Sequence, residues 1–335
     1  MKTKVVTLKD IAQKAGVSIT TVSHVINKTR HVNQETRENV LRILNEMHYA
    51  TKESSTVKSK EKTLLLGVII ADIREDFYIA LAKAIETVAE EYGVSIVLCD
   101  SEDDPEKELE NIKNLLSMGV DGLVVAPVSH TPCPDDLRNA SVPVILVDRQ
   151  YSDHDMLFVG INNFQSAGAA TEYLYSKDCR HVGFIGYDKS VFTVQQRILG
   201  YEARVFRERT EAGPRILALR YKQEDSYSMI KDFLERESFD GLVCATSDIC
   251  YETLEVASEL GIRIPETLKI ITYDDNKWLD FLKYPISVIT QPVGEIGSYA
   301  VERFIQVKTS LTREAKPVKT EVFFDVGILD RLGGR

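Results

Sequence analysis

A group of short side chains near the start of the chain could make contacts with nucleic acid. They lie close together in the sequence: Ile19, Thr20, Thr21, Ser23 and His24. Their hydroxyl and imidazole groups can exchange hydrogen bonds with base edges and phosphate oxygens. A helix that carries them can lie deep in the major groove of double-stranded DNA, because none of these side chains is long. The residue types therefore predict a DNA-reading helix.

Two short helices and the turn between them would position these side chains. Thr7 with Asp10 makes a capping-box-like helix start, and Gly16 favours a helix end. Ser18 can accept a backbone N–H as the N-cap of the second helix. Apolar residues recur at helical spacing in both: Leu8, Ile11, Ala12, Ala15, Val22, Val25 and Ile26. This pattern predicts a helix-turn-helix over residues 7–27.

A third helix and a polar segment follow. Asn33 is a suitable N-cap for a helix from Gln34 to about Met47. The apolar residues expected to close a three-helix core are Val40, Leu41, Leu44 and Met47. Residues 49–63 are almost wholly polar or charged. This composition predicts a linker, because such a segment buries too little apolar surface to order itself.

Charge is distributed unevenly along the chain. The 335 residues carry a formal net charge of −10, but residues 1–62 alone carry +6 and the remaining residues carry −16. A basic first part can approach a phosphate backbone while an acidic remainder faces away. The overall acidity therefore does not exclude a nucleic-acid partner, and the asymmetry favours one.

Beyond residue 63 the pattern changes to short apolar runs that alternate with helical periodicity. Seven Val/Ile/Leu-rich runs predict buried parallel strands at 64–70, 94–100, 122–127, 142–148, 181–186, 240–245 and 268–275. Helices are expected at about 77–91, 104–117, 163–177, 194–209, 225–236, 247–260 and 293–307. This alternation predicts an α/β fold of right-handed crossover units. Because the units exceed one sheet of usual size, we expect two similar lobes with a ligand crevice at the carboxyl ends of their strands.

Composition disfavours several classes of site and compartment. No segment reaches 18 uninterrupted apolar residues and the N-terminus lacks a signal-peptide run, so we expect a cytoplasmic protein with no membrane contact. Five scattered cysteines are expected to be reduced: Cys99, Cys133, Cys179, Cys244 and Cys250. No Cys/His spacing suits zinc, and we expect neither a metal nor a cofactor.

Several sequence blocks resemble the LacI/GalR family of transcription regulators over nearly the whole chain. The most specific are TLKDIAQKAGVSITTVSHVIN and the later pair IITYDD and ITQP, to which VPVILVDR and HVGFIG add. The resemblance implies a helix-turn-helix DNA-binding domain, a linker or hinge, and an effector-binding and dimerisation domain, at 1–48, 49–63 and 64–335. The first lobe of the last domain would comprise about 64–161 and 293–320, and the second about 162–290 and 321–335.

The resemblance implies a sequence-specific regulator that binds operator DNA as a homodimer. A small-molecule effector, often a sugar or sugar derivative, would bind between the two periplasmic-binding-protein-like lobes and change the affinity for the operator. Repression is the usual activity in the family, although activation stays open. Whether the effector releases or strengthens DNA binding also stays open.

The family pattern assigns roles to individual residues of the DNA-binding domain. Ile19, Thr20 and His24 match base-contacting positions. The candidates for phosphate contacts are Thr7, Ser18, Thr21, Ser23 and Asn27. The alternative is that these side chains only form a solvated helix face. His24 departs from the family, which usually has arginine there, so the operator preference of relatives does not transfer to this chain.

The linker departs further from the family pattern. Relatives carry a short helix whose leucine wedges into the minor groove and kinks the duplex. Val57 is the apolar candidate for such a wedge here, but it is smaller than leucine and one position out of step. The alternative is a flexible basic tether whose lysines contact phosphates.

For the crevice, the resemblance implies a set of ligand-contacting residues. They are Asp76, Phe77, Ala126, Pro127, Asp148, Tyr187, Thr193, Arg197, Ser247, Asp274 and Gln291, with Asp275 nearby. Carboxylates accept from vicinal hydroxyls, arginine donates in a fork, and an aromatic ring stacks on a sugar face. The set therefore fits a polyhydroxylated ligand.

Each of these contacts has a structural alternative. Asp148 could pair with Arg149, Asp274 could cap the next helix, and Phe77 could belong to the core. The run Arg74-Glu75-Asp76 is more charged than a neutral sugar requires. An aminated or otherwise charged ligand therefore stays open.

Two other functions share this architecture. An α/β enzyme acting on a small metabolite is disfavoured because the sequence lacks GxGxxG after a strand, GxxxxGK[ST] and GxSxG. A solute-binding receptor is disfavoured by the helix-turn-helix and by the lack of a signal-peptide run. The sequence therefore predicts a transcription regulator and not an enzyme.

Overall fold

The computed structural model describes residues 8–27, 32–46, 63–128, 131–188, 191–208, 213–220, 225–309 and 320–332. The chain divides into two units, Met1–Thr63 and Leu64–Arg335. Within the described ranges, no helix is both long and apolar enough to cross a membrane. All five cysteines are free of disulfide bonds, and four of them are buried.

The first unit contains three helices around a small apolar core. They are α1 (Leu8–Ala15), α2 (Ile19–Asn27) and α3 (Gln34–Glu46). Gly16 ends α1 with φ +65°, a left-handed conformation that suits glycine. The Ser18 side chain accepts from the backbone N–H of Thr21 at 3.0 Å, and the Asn33 side chain accepts from that of Thr36 at 2.8 Å. The predicted caps at Ser18 and Asn33 are therefore confirmed.

The buried stripe of α3 differs from the predicted one. Val40, Ile43 and Leu44 pack into a core with Ile11, Ala12, Ala15, Val22 and Val25, whereas Leu41 is 45% exposed. The prediction that Leu41 closes the core is wrong. Each residue turns the helix by about 100°, which carries Leu41 away from the stripe that Val40, Ile43 and Leu44 share. Met47 lies outside the described residues.

The second unit begins with a six-stranded sheet that forms the first lobe. Its strands, in spatial order, are β11 (Glu321–Phe324), β5 (Leu157–Ile161), β4 (Val144–Val147), β3 (Gly122–Val125), β1 (Leu65–Ile70) and β2 (Ser95–Asp100). All neighbouring pairs are parallel. The helices of this lobe are α4 (Asp76–Glu91), α5 (Pro105–Met118), α6 (Asp135–Arg138) and α11 (Val293–Thr309).

A second six-stranded sheet forms the other lobe. Its strands, in spatial order, are β12 (Gly327–Leu329), β10 (Ser287–Thr290), β9 (Lys269–Tyr273), β8 (Gly241–Cys244), β6 (Val182–Tyr187) and β7 (Ile216–Leu219). β12 is antiparallel to β10, and the other pairs are parallel. The helices are α7 (Asn163–Ser176), α8 (Phe192–Glu208), α9 (Ser226–Arg236), α10 (Ser247–Glu259) and a 3-10 helix (Lys277–Phe281). The predicted α/β fold with two lobes is confirmed.

Five strands have no counterpart in the predicted set: β5, β7, β10, β11 and β12. β7, β11 and β12 lie at sheet edges and are partly or wholly exposed, so they lack the continuous apolar run of a buried strand. β5 and β10 are buried, and the prediction overlooked them. β11 also corrects the expected lobe division, which placed residues 321–335 in the second lobe. Residues 321–324 pair with β5 in the first lobe, and residues 327–329 pair with β10 in the second. The described chain therefore crosses between the lobes after β5, after β10 and between β11 and β12.

Helices α7 and α8 pack so closely that their contact requires glycine. A Cβ atom added to Gly200 would lie 2.0 Å from the carbonyl oxygen of Phe164. Because the obstructing atom belongs to the backbone, no change of side-chain rotamer could relieve the clash. This contact fixes the start of α7, with Asn163, against the part of α8 that carries Arg197.

Candidate ligand cleft and DNA-reading helix

A cleft lies between the two sheets of the second unit, at the carboxyl ends of their strands. Segments after β1 and β4 form its first-lobe wall, and segments after β6, β8, β9 and β10 form its second-lobe wall together with α8. Nine predicted contacts line it: Asp76, Phe77, Asp148, Tyr187, Thr193, Arg197, Ser247, Asp274 and Gln291. Parallel strands end at one edge of each sheet, which brings residues distant in sequence together here.

Arg197 is held in the second-lobe wall by neutral groups. Its Nε donates to the Asn163 side-chain oxygen at 2.7 Å, and its Nη1 donates to the Ala245 carbonyl at 2.5 Å. The guanidinium carbon lies 3.5 Å from the centroid of the Tyr273 ring, whose hydroxyl contacts Ser166 at 2.8 Å. Within the described part of the chain, no carboxylate lies within 4.0 Å of this guanidinium. Since arginine has five donors, N–H groups remain for a ligand.

Arg149 lines the first-lobe wall and is surrounded by acids. Its guanidinium contacts Asp103 at 2.6 Å, Glu75 at 3.7 Å and Asp148 at 3.8 Å. The Tyr78 hydroxyl donates to Asp148 at 2.8 Å. The alternative pairing of Asp148 with Arg149 is therefore present, but the shortest contact of Arg149 is to Asp103. These carboxylates therefore balance most of the positive charge of Arg149.

Asp148 and Asp274 occupy equivalent positions in the two sheets. Asp148 directly follows β4 and Asp274 directly follows β9, and both have left-handed backbones, with φ 62° and 65°. Aspartate tolerates this conformation better than most residues. The Asp274 side chain accepts a hydrogen bond from Gln291 at 2.8 Å and does not cap the next helix. Burial raises the pKa of Asp274 to about 6, although nearby Arg197 lowers it.

Carboxylates of the two lobes influence each other across the cleft. Burial raises the pKa of Glu75 to about 8; Arg149 opposes this shift, and Asp248 from the other lobe adds to it. Partial burial also raises the pKa of Asp248, and Asp76 of the first lobe raises it further. The cleft therefore has an acidic surplus that is shared between both walls.

Some predicted contacts lie elsewhere. Pro127 and Ala126 are not among the lining residues. Arg149 donates to the carbonyl of Val128 at 3.2 Å, so its guanidinium lies against the segment after β3 and forms the wall in that region. Asp275 points away from the cleft and pairs with Arg331 at 2.7 Å. Phe77 lines the cleft and also packs in the core, so both readings of that residue hold.

Several lining residues were not in the predicted set. They are Glu75, Arg149, Val191, Val194, Thr246 and Asp248. Five of them adjoin a predicted contact in the sequence, and Val191 lies two positions before Thr193. The rule that segments after parallel strands line a cleft would have found Glu75, Arg149 and Asp248. No signal in the sequence distinguishes the two valines from ordinary core residues.

In the first unit, α2 presents several of the predicted DNA contacts on one face. Thr20, His24 and Asn27 follow the spacing i, i+4 and i+7, which places their backbone positions on a common side. Ile19 is 48% exposed. The Ser18 hydroxyl lies 2.8 Å from that of Thr21, so these two also serve the helix start.

The other predicted DNA contacts are less defined. Ser23 lies within α2, but the structure describes only its backbone, as it does for Asn27. Thr7 and Val57 lie outside the described residues. The base and phosphate contacts assigned to α2 therefore remain predictions.

A helix-turn-helix unit joined to a two-lobed α/β domain with a polar cleft defines a DNA-binding regulator with a ligand-binding domain. The family model described as bacterial regulatory proteins, lacI family, matches residues 7–52. The model described as periplasmic binding protein domain matches residues 66–307. The chain belongs to the LacI family of transcription regulators, with a periplasmic-binding-protein-like effector domain.

Individual relatives cover most of the chain. Catabolite control protein A of Staphylococcus epidermidis is 30% identical over 297 residues, which are 88% of this chain and 89% of the relative. The sucrose operon repressor of Pediococcus pentosaceus is 28% identical over 302 residues, 89% of this chain and 91% of the relative. The predicted family, and with it a regulator rather than an enzyme, is confirmed.

Solved structures share the fold along the whole chain. The lac repressor dimer bound to operator and the anti-inducer ONPF has a TM-score of 0.72 at 21% identity and covers 98% of both chains. The transcriptional regulator CelR in complex with cellobiose has a TM-score of 0.70 at 21% identity, covering 98% of this chain and 100% of the other. At these identities the likeness establishes the fold.

Proposed function

We propose that the protein is a homodimeric repressor that reads operator DNA through α2 and binds a polyhydroxylated effector in the cleft. The effector is a sugar or a sugar derivative, and its binding changes the affinity for the operator. The observation that carries this proposal is the fixed, buried guanidinium of Arg197, which faces the cleft beside two carboxylates, in a chain that also has a helix-turn-helix.

The cleft chemistry matches a ligand rich in hydroxyl groups. Arg197 has donors left over for ring or hydroxyl oxygens, and Asp148 and Asp274 can accept from vicinal hydroxyls. Phe77 and Tyr187 supply aromatic surface at the opposing walls. Polar groups that converge from fixed positions, with aromatic surface between them, are the usual composition of a sugar site.

The relatives support a carbohydrate ligand. Two of them are a sucrose operon repressor and a ribose operon repressor, and one structural neighbour is a complex with cellobiose. The sugars named for these proteins differ, which is consistent with one scaffold whose lining residues determine the ligand.

Dimer formation is proposed from physical reasoning and from one relative. A single helix such as α2 can contact few base pairs, whereas two linked copies gain effective concentration on a two-fold operator. The lac repressor neighbour is a dimer on its operator. On this proposal, His24 is a base-reading residue, so operators recognised by relatives with arginine at that position differ from the operator of this protein.

Coupling between ligand and DNA follows from the two-lobed architecture. A ligand that contacts both walls stabilises the arrangement of lobes in which both contacts form. The three connecting segments allow the lobes to move relative to each other, since no other covalent link joins the sheets in the described chain. The effector therefore shifts the population of lobe arrangements.

The proposal is tested by thermal-shift screening of a sugar panel, followed by fluorescence anisotropy with a selected operator. A ligand present at about 100 times its Kd should stabilise the native state by about 2.7 kcal/mol. We expect Arg197→Ala to abolish the thermal shift and the effect of the ligand on operator affinity, because the variant lacks the guanidinium N–H donors that face the cleft.

Arg236→Ala is the matched control. Arg236 lies in the same lobe on α9, its side chain is 77% exposed, and it pairs with Asp232 at 2.9 Å. This variant should respond to ligand as the wild type does. Sugar binding that persists in both Arg197→Ala and Asp274→Asn would contradict the cleft assignment.

A further inference from the structure

The mouth of the cleft carries acidic residues from both lobes. Glu75 and Asp76 lie at the start of α4 in the first lobe, and Asp248 lies in the first turn of α10 in the second. All three line the cleft. Glu75 is largely protonated at neutral pH because its pKa is raised to about 8, whereas Asp76 raises the pKa of Asp248, so these two carboxylates repel each other across the opening. Any movement that narrows the cleft strengthens this repulsion.

Among the described residues, Glu75 is the one of these three carboxylates that lies near an arginine of the site, at 3.7 Å from Arg149. Arg149 makes its shortest contact with Asp103, and Arg197 is seated on Asn163, Ala245 and Tyr273. Arg74 lowers the pKa of Asp248, but its side chain is 64% exposed and pairs with Asp72. Within the described residues, no lysine or arginine lies within 4.0 Å of the Asp76 or Asp248 carboxylate.

One acceptor deeper in the site is left without a donor. The Gln291 side chain uses its N–H for Asp274, and its oxygen is buried with no hydrogen-bond partner in the described structure. A buried acceptor without a donor costs about 1–3 kcal/mol, which a donor-rich ligand would offset. A hydroxyl group of the ligand could donate to this oxygen, whereas an ammonium group, with three donors and no acceptor, suits the rim carboxylates.

Two other occupants fit the site less well. Within the described part of the chain, no group of three or more His, Cys, Asp or Glu residues is arranged to hold a metal ion. A phosphorylated or acidic sugar would place its negative charge against Asp76 and Asp248, which like-charge repulsion opposes. The charge pattern therefore selects an organic cation.

We propose that the effector is an amino-bearing polyhydroxylated molecule, of the amino-sugar class, whose ammonium group lies between Asp76 of the first lobe and Asp248 of the second. This inference rests on the proposed function of the cleft as the effector site. Hydroxyl groups of the ligand face Arg197, Asp148 and Asp274. The ammonium group replaces repulsion between the rims by attraction, so the same group that gives specificity also favours closure of the cleft.

The test uses matched triplets of hexose, 2-amino-2-deoxyhexose and the N-acetylated form, in the gluco, galacto and manno series. Isothermal titration calorimetry with the full chain at neutral pH gives Kd for each. We expect at least one free amine to bind about tenfold or more tightly than its parent and N-acetylated partners, which lack the charge. Asp248→Asn and Asp76→Asn should each remove this preference.

Glu255→Gln is the matched control, since it removes a carboxylate from an exposed position of the same helix, α10, and should keep the preference. Neutral sugars that bind as tightly as their amines, and depend on Arg197, would overturn the cationic ligand and leave the proposed function standing. An amine preference unchanged in both cleft variants would also overturn it. If no member of any triplet binds, the sugar-effector proposal itself fails and this inference falls with it.

Discussion

Two arginines face the same cleft from opposite lobes, and they are held in opposite ways. Arg149 lies among Asp103, Glu75 and Asp148, whereas Arg197 rests on an amide oxygen, a carbonyl and an aromatic ring. Both residues are only 4% exposed. Their burial is therefore equal, and the difference lies in the charge of their partners.

This contrast indicates that the two arginines have different roles in the two walls of the cleft. A guanidinium surrounded by carboxylates has its charge satisfied inside the protein, so it holds the loops after β1, β2 and β4 together. A guanidinium on neutral partners keeps its charge and spare donors for a ligand. Arg149 is thus a structural residue of the first lobe, and Arg197 is the ligand-facing residue of the second.

The largest expected effect separates the two arginines by stability. Arg149→Met should lower the free energy of unfolding by about 3–5 kcal/mol, because it leaves buried carboxylates without their counter-charge. Arg197→Met should cost less, about 2–3 kcal/mol, since it leaves two neutral acceptors without a donor but no buried charge without its counter-charge. Urea unfolding of both variants measures the difference. Equal losses of stability would break the comparison.

The position of Arg197 relative to its partner Asn163 depends on the close contact between α7 and α8. Gly200→Ala should lower the free energy of unfolding by about 1–3 kcal/mol, because the new methyl group meets the Phe164 carbonyl, 2.0 Å away, and forces the helices apart. Ligand binding should weaken in parallel, as Arg197 moves relative to Asn163. Thermal unfolding and the sugar titration measure the two effects.

Gly168→Ala is the control for this contact. Gly168 lies on α7, and its added Cβ would be 3.6 Å from the Gly200 carbonyl, an ordinary contact distance. Alanine is also favoured over glycine inside a helix by up to about 1 kcal/mol. This variant should therefore be neutral or stabilising. A loss as large as that of Gly200→Ala would show that the interface tolerates no methyl group anywhere.

Local signals in the sequence predicted the parts of the fold that depend on neighbours along the chain. The caps at Ser18 and Asn33 each involve residues three positions apart, and both form as expected. The prediction for α3 was wrong at Leu41, because Val40 and Leu41 are adjacent and the turn of the helix lets only one of them face the core. Short strands such as β11 were missed, since their pairing with β5 is set by the sheet and not by their own residues.

The family pattern predicted some residues of the candidate site, but it could not predict contacts between residues that are far apart in the sequence. Arg197 and Asp274 carry the pattern, and the structure places both in the cleft. Arg149 meets Asp103 across 46 positions of sequence, so no local spacing could reveal that pair. Asp248 gains its importance from Glu75 and Asp76 on the opposite wall, which only the folded arrangement brings near.

The smallest expected effect concerns the acidic side of the comparison and is a dependence of stability on pH. Glu75 has a folded pKa of about 8 against an ordinary value of 4.5, chiefly because of burial. Between these values the folded state holds a proton that the unfolded chain has lost, so the Glu75 contribution to stability is present at low pH and is lost as pH rises from about 4.5 to about 8. Glu75→Gln has no carboxyl group to ionise in the folded protein, so its stability should not fall in this way as pH rises.

The measurement is therefore the difference in unfolding free energy between Glu75→Gln and the wild type, followed across that range. We expect the difference to move in favour of the variant with rising pH, by about 1–2 kcal/mol in total, because a side chain that is 23% exposed is partly screened by solvent. Glu255→Gln should run parallel to the wild type. A difference that stays constant with pH would mean that Arg149 keeps Glu75 ionised, and the first-lobe wall would then be better balanced in charge than the comparison of the two arginines implies.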